Sequence, residues 1–118
     1  MQLELNPEVV TDISSLPDDA AKRAAIQAIA DVRLGRRVGV ELEYRADTGD
    51  PRDCRKVYFD APYRNERPRF RLVYHVIDEN RVEVIRAEVI AMGERNNLAA
   101  YKTASERLGR SPKTRETP

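Results

Sequence analysis

Lys56 and Tyr58 on one β-rich run, and Arg69 and Arg71 on the next, occupy alternate positions. Alternate residues of a strand share a face. Val57 and Phe59 therefore point the other way, as do Phe70, Leu72, Tyr74 and Val76, while Arg69, Arg71, Val73 and His75 share the cationic side. If the two runs pair, one face of the sheet is apolar and suits a core. The other carries cations and an aromatic ring and suits an anionic ligand. Other chemistries are poorly supplied. His75 is the single histidine, Cys54 is the single cysteine, and the acids are scattered. Neither a histidine acid–base pair nor a metal-ligating cluster is expected, and no cofactor is implied.

The elements that must position these residues can be read in chain order. Asn6-Pro7-Glu8 has a capping side chain, a proline and an acid, which start a short helix to about Ser15 with Val9, Ile13 and Leu16 inward. A second helix begins after Pro17 and ends at Gly35. Its apolar stripe is Ala21, Ala25, Ile29 and Val32, widened by Ile26 and Ala30, and its polar face holds Lys22, Arg23, Gln27, Asp31 and Arg33. Val38 to Arg45 alternates and fits either a strand or an extended connector. Thr48-Gly49-Asp50-Pro51 is a turn, 54–60 a strand, and 61–68 a polar loop bracketed by prolines. Residues 69–77 and 82–90 form a hairpin around Asp78-Glu79-Asn80-Arg81. Asn96 or Asn97 caps a last helix in which Leu98, Tyr101, Ala104 and Leu108 share a face and which Gly109 closes. The expected fold is α+β: two N-terminal helices packed on a small antiparallel sheet, with a C-terminal helix. Residues 1–109 read as a single domain and 110–118 as a flexible tail.

The chain of 118 residues is 35% charged and 41% hydrophobic, which is globular rather than disordered. A lone cysteine suits a reducing compartment. Met1 to Asn6 lacks the basic and apolar regions of a secretory leader, and no apolar run reaches membrane-spanning length, so a cytoplasmic protein is expected. The net charge of +1 hides an asymmetry: residues 1–53 carry −4 and residues 54–118 carry +5. The working surface is expected in the second half.

Phe70-Arg71-Leu72-Val73-Tyr74-His75-Val76-Ile77-Asp78-Glu79, an apolar strand, Gly93-Glu94-Arg95 and Tyr101 together resemble the RelE-type toxins of bacterial toxin–antitoxin systems. The resemblance runs from Cys54-Arg55-Lys56 to Arg107-Leu108. It implies the RelE-like microbial RNase fold and a ribosome-dependent mRNA endoribonuclease (mRNA interferase) that inhibits translation. Such enzymes cut mRNA in the ribosomal A site without metal, by attack of the ribose 2′-hydroxyl on the adjacent phosphate. The resemblance makes Lys56 the general base, Arg71 the phosphate stabiliser, Arg95 the residue for leaving-group protonation or charge stabilisation, and Tyr101 a nucleotide-positioning residue. It also implies a cognate antitoxin, which covers the C-terminal helix and the cationic face of an otherwise monomeric toxin. Tyr58 stands where the family often has a second lysine, and the 61–68 loop is longer than usual.

This chemistry suits the residues present. Without histidine pairs or carboxylate clusters, phosphodiester cleavage rests on cations that stabilise charge developing on the phosphate. Lysine, with an ordinary pKa of about 10.4, is a poor base at neutral pH. Crowding by Arg69, Arg71 and Arg95 is expected to lower that value. Tyr58 and Tyr101 can stack on unpaired bases, and Arg64, Arg67 and Arg69 can contact the RNA backbone. Each residue also has a structural alternative: Arg71 as an edge-strand surface residue, Arg95 in an ion pair with Glu94 or Glu88, Tyr101 in the helix stripe, His75 as a strand residue. ParE-type gyrase inhibitors share the superfamily fold, so gyrase inhibition is a competing function. A catalytically inactive antitoxin-binding module is another.

Overall fold

The computed structural model describes residues 1–42, 53–64, 66–81, 83–94 and 99–109. The hairpin is its spine. Strand β4 (Phe70–Glu79) pairs antiparallel with β5 (Val84–Glu94), and β4 also pairs antiparallel with β3 (Cys54–Phe59). A two-residue strand, β2 (Val40–Glu41), adds to the outer side of β3, and β1 (Gln2–Leu5) lies parallel along β5. The five strands run in the order β1-β5-β4-β3-β2.

The sheet is therefore mixed rather than antiparallel. Gln2 to Leu5 is too short for its alternation to register, yet it pairs with Arg86 to Val89 across most of the chain. Leu3 packs against the core from this strand. The turn lies two residues later than expected: Asn80 N–H bonds to the Glu83 carbonyl at 3.0 Å, and the Asn80 side chain accepts from Glu83 N–H at 2.9 Å. Of the alternating run at 38–45, Val40–Glu41 is strand and residues 43–45 lie outside the described residues. The Thr48–Pro51 turn, the Asn96 or Asn97 cap, Leu98 and the 110–118 tail also lie outside them.

The first face of the sheet is covered by α1 (Val9–Ser14) and α2 (Asp19–Arg33). Asn6 supports the start of α1, its side chain accepting from Glu8 N–H at 2.9 Å, and Asp18 caps α2 by accepting from Ala21 N–H at 2.8 Å. Val9, Leu16, Ala21, Ala25, Ala28 and Val32 pack on Val57, Phe59, Phe70, Leu72, Tyr74 and Val76. Small alanines let α2 approach the sheet closely. Ile26, expected inside, is 59% exposed, because Ala28 takes the inward position instead. Asp31 is buried rather than on the polar face. After α2, Gly35 at φ +76° reverses the chain, and Gly35 and Arg36 N–H bond back to the Val32 and Asp31 carbonyls. That reversal swings Arg37 onto Asp31 at 3.1 Å.

The other face carries α3 (Ala99–Arg107). Ala100, Tyr101 and Ala104 pack there with Cys54, Val73, Ile90 and Ala91, forming a second apolar cluster. Part of the expected cationic face is thus a small core. A β-bulge makes it possible: Val73 pairs with Ala91 and Tyr74 with Val89, leaving Ile90 as the extra residue. Ile90 and Ala91 consequently both belong to the α3 cluster. No helix among the described residues is long and apolar enough to cross a membrane.

Candidate active site

Three elements bring the site together. Tyr58 of β3 pairs with Arg71 of β4, and Arg71 pairs with Gly93 of β5, so the three lie on one rung of the sheet. Lys56 sits one same-face step back along β3. Gly93 has no side chain, and a Cβ there would lie 3.4 Å from the Cβ of Ala100. The gap lets α3 settle over the rung and puts the next residue, Tyr101, above Arg71. The Arg71 guanidinium carbon lies 4.1 Å from the Tyr101 ring centroid and 5.7 Å from that of Tyr58. Lys56 Nζ lies 5.3 Å from the Tyr58 centroid and 5.9 Å from that of Tyr101. Two cations thus sit between two phenols.

Arg71 is 5% exposed and Tyr101 is 6% exposed, whereas Lys56 and Tyr58 are half-buried. Tyr101 both packs in the apolar cluster and lies over the Arg71 guanidinium. The expected lowering of the Lys56 pKa is overturned. Burial pulls the ammonium down, but hydrogen bonding to the Tyr58 and Tyr101 hydroxyls outweighs it, and the pKa is raised. The Tyr58 phenol moves the opposite way: its hydrogen bond to Lys56 and the charges of Lys56 and Arg71 lower its pKa, against the effect of burial.

The remaining candidates are dispersed. Arg69 precedes β4 and turns to Asp60, with Nε at 3.0 Å from Oδ2 and Nη2 at 3.0 Å from Oδ1. Asp60 also accepts from Arg69 and Ala61 N–H, closing the neck of the 61–68 loop. The Arg69 charge is thereby committed to a buried carboxylate, which removes its expected crowding of Lys56. Arg64, in a single 3-10 turn (Pro62–Arg64), lies over the Tyr63 ring at 5.5 Å, and both Arg64 and Arg67 are exposed in the loop. Arg95 lies outside the described residues. His75 pairs with Cys54 and Glu88, away from the Tyr58 rung.

Two supports escaped the sequence reading. Arg107, in the last turn of α3, grips Asp12 of α1 through both Nη atoms at 2.7 and 3.0 Å, and Nη1 donates to the Ile90 carbonyl at 2.8 Å. Asp12 also accepts from Met92 N–H at 3.0 Å, and Glu8 accepts from Arg107 Nε at 2.9 Å. This network ties the helix bearing Tyr101 to α1 and β5. Arg37 in turn donates to the Tyr58 carbonyl at 3.1 Å, holding the outer end of β3. Neither network has a local signal, since the partners lie at least 17 residues apart.

A cleft of about 450 Å3 on the α2 side, lined by Val32, Leu34, Val38, Arg55, Tyr74 and Val84 among others, shares no residue with the cationic cluster. Among the described residues, no group of three or more histidine, cysteine, aspartate and glutamate side chains is placed to hold a metal ion.

No protein-family model matches the chain, nor does any curated protein. Among solved structures, E. coli toxin RelE, a double arginine-to-alanine mutant in the free state, matches with a TM-score of 0.59 and 20% identity. The match covers 91% of this chain and 96% of that one. The cluster of Lys56, Tyr58, Arg71 and Tyr101 therefore sits on a fold similar to that of RelE.

Proposed function

We propose that the protein is the toxin of a type II toxin–antitoxin system and cleaves mRNA in the ribosomal A site as a metal-independent endoribonuclease. The observation that carries this reading is the pair of cations, Lys56 and Arg71, held between the rings of Tyr58 and Tyr101 on a RelE-type fold. Attack of the ribose 2′-oxygen on phosphorus places extra negative charge on the phosphate oxygens. A guanidinium fixed by burial and ring stacking is organised before that charge appears, so it stabilises the transition state without rearranging. Lys56, kept as an ammonium, adds a second positive charge. Tyr101 and Tyr58 offer ring faces for splayed bases. Arg95 is assigned to the leaving group, and Arg64 and Arg67 to the RNA backbone. Arg69 serves chiefly to hold the loop. A cognate antitoxin would neutralise this cytoplasmic, otherwise monomeric protein by covering α3 and the cationic face.

The test is induction in bacteria followed by mapping of RNA 5′ ends, beside an Arg71→Ala control. Abundant 5′-hydroxyl ends within coding regions, lost in the control, are the expected result. Intact messages with DNA double-strand breaks would overturn it in favour of gyrase inhibition. Neither effect would leave the antitoxin-binding role.

A further inference from the structure

We propose that the Tyr58 hydroxyl, rather than the Lys56 amine, takes the proton from the attacking ribose 2′-hydroxyl. The inference rests on the nuclease reading above and assigns a role that a lysine would otherwise fill.

The geometry favours the phenol. Lys56 Nζ lies between two tyrosines, near both hydroxyls, an arrangement that suits an ammonium donating two hydrogen bonds. An ammonium has no lone pair with which to accept a proton. A tyrosine hydroxyl does. Of the two beside Lys56, Tyr101 is 6% exposed and packed in the α3 cluster, which leaves Tyr58 the more accessible to RNA. It is half-buried, faces Lys56 from its own strand, and lies opposite Arg71 in the ladder, with that guanidinium 5.7 Å from its ring. From α3 it faces Tyr101, which shares Lys56. From the segment after α2 comes Arg37, which donates to the Tyr58 carbonyl and is also paired with Asp31. The nearby Asp60 carboxylate is bound by Arg69. The charged groups around the phenol are thus mainly cations, which favour the phenolate and lower its pKa from the ordinary 10.0.

The step balances. The Tyr58 phenolate removes the 2′-hydroxyl proton as the 2′-oxygen bonds to phosphorus. The bond from phosphorus to the 5′-oxygen breaks, and that oxygen takes a proton from the Lys56 ammonium. The products are a 2′,3′-cyclic phosphate and a 5′-hydroxyl. The neutral phenol then passes its proton to the Lys56 amine through their hydrogen bond, restoring the starting pair.

The experiment measures single-turnover cleavage of mRNA on programmed ribosomes against pH, for the wild type, Tyr58→Phe, Lys56→Arg and a variant carrying fluorotyrosine at position 58. The wild-type rate should rise with pH along a limb whose midpoint lies below 10.0. Tyr58→Phe preserves the ring and should lose roughly 100-fold in rate and the limb itself, with half-saturation little changed. Lys56→Arg should be slower but keep the limb. Fluorotyrosine, a stronger acid, should move the midpoint to lower pH. A Tyr58→Phe protein with wild-type rate and limb would overturn the assignment, as would an unmoved fluorotyrosine midpoint or loss of the limb in Lys56→Arg. A wild type that cleaves no RNA would instead overturn the nuclease reading, and this assignment with it.

Discussion

Replacing Arg71 by alanine removes a guanidinium that is 5% exposed and stacked 4.1 Å from the Tyr101 ring. If the site cleaves RNA, the single-turnover rate should fall by about 100-fold or more, the usual cost of losing a preorganised donor. Arg71→Lys should restore little, because a point charge lacks the planar fork and the stacking surface. Asp60 makes a different prediction. Burial raises its pKa, but the hydrogen bonds from Arg69 and Ala61 outweigh that and hold it below the ordinary 3.8. Its stabilising contribution is therefore complete above about pH 4 and is lost as the pH falls through the folded-state value. Unfolding midpoints between about pH 6 and pH 2 should fall more steeply for the wild type than for Asp60→Asn, which starts lower and stays flatter. The shared face of Lys56, Tyr58 and Arg71 was legible from alternation alone, because strand parity fixes it. The direction of the Lys56 pKa was not. Burial is outweighed by hydrogen bonds to the Tyr58 and Tyr101 hydroxyls, and the second of these exists only because α3 brings Tyr101 in, a tertiary event.

At the level of elements, the site depends on how α3 seats against the sheet. Gly93→Val would push against Ala100 and lift Tyr101 from Arg71. Cleavage should drop roughly 10- to 100-fold with the fold retained, as expected for a small misplacement of a positioning residue. Circular dichroism beside the rate measurement separates this outcome from unfolding. Arg107→Met should destabilise the protein by about 3 kcal/mol, since Arg107 and Asp12 are each 13% exposed and the carboxylate would lose its partner. The Glu8 contact adds little to that figure, because Glu8 is 67% exposed and screened by water. Denaturant melts of Arg107→Met, Asp12→Asn and the double variant measure the coupling. The long strands and α2 were readable from periodicity and caps. Strand β1 was not, since four residues give too little pattern and their partner lies some 84 positions away. The Ile90 bulge was equally hidden, because a single inserted residue alters no composition.

Across the whole molecule, a chain of net charge +1 collects its positive balance in residues 54–118. The proposed RNA binding should therefore weaken with salt, with a log–log slope of about −2 for some three neutralised phosphates. Filter binding of a short single strand across salt concentrations measures it. The junction of Asp12, Arg107 and β5 also bears on how copies of the protein behave together. Beyond Val89, where β1 stops, the Ile90 carbonyl and Met92 N–H are bonded by side chains of two helices instead of by a neighbouring strand. Without Arg107 the Ile90 carbonyl loses its partner and Asp12, which bonds Met92 N–H, loses its anchor, so a strand of another molecule can compete for that edge. Light scattering that rises with protein concentration in Arg107→Met, and not in the wild type, would show that the ion pair protects solubility as well as holding a helix in place.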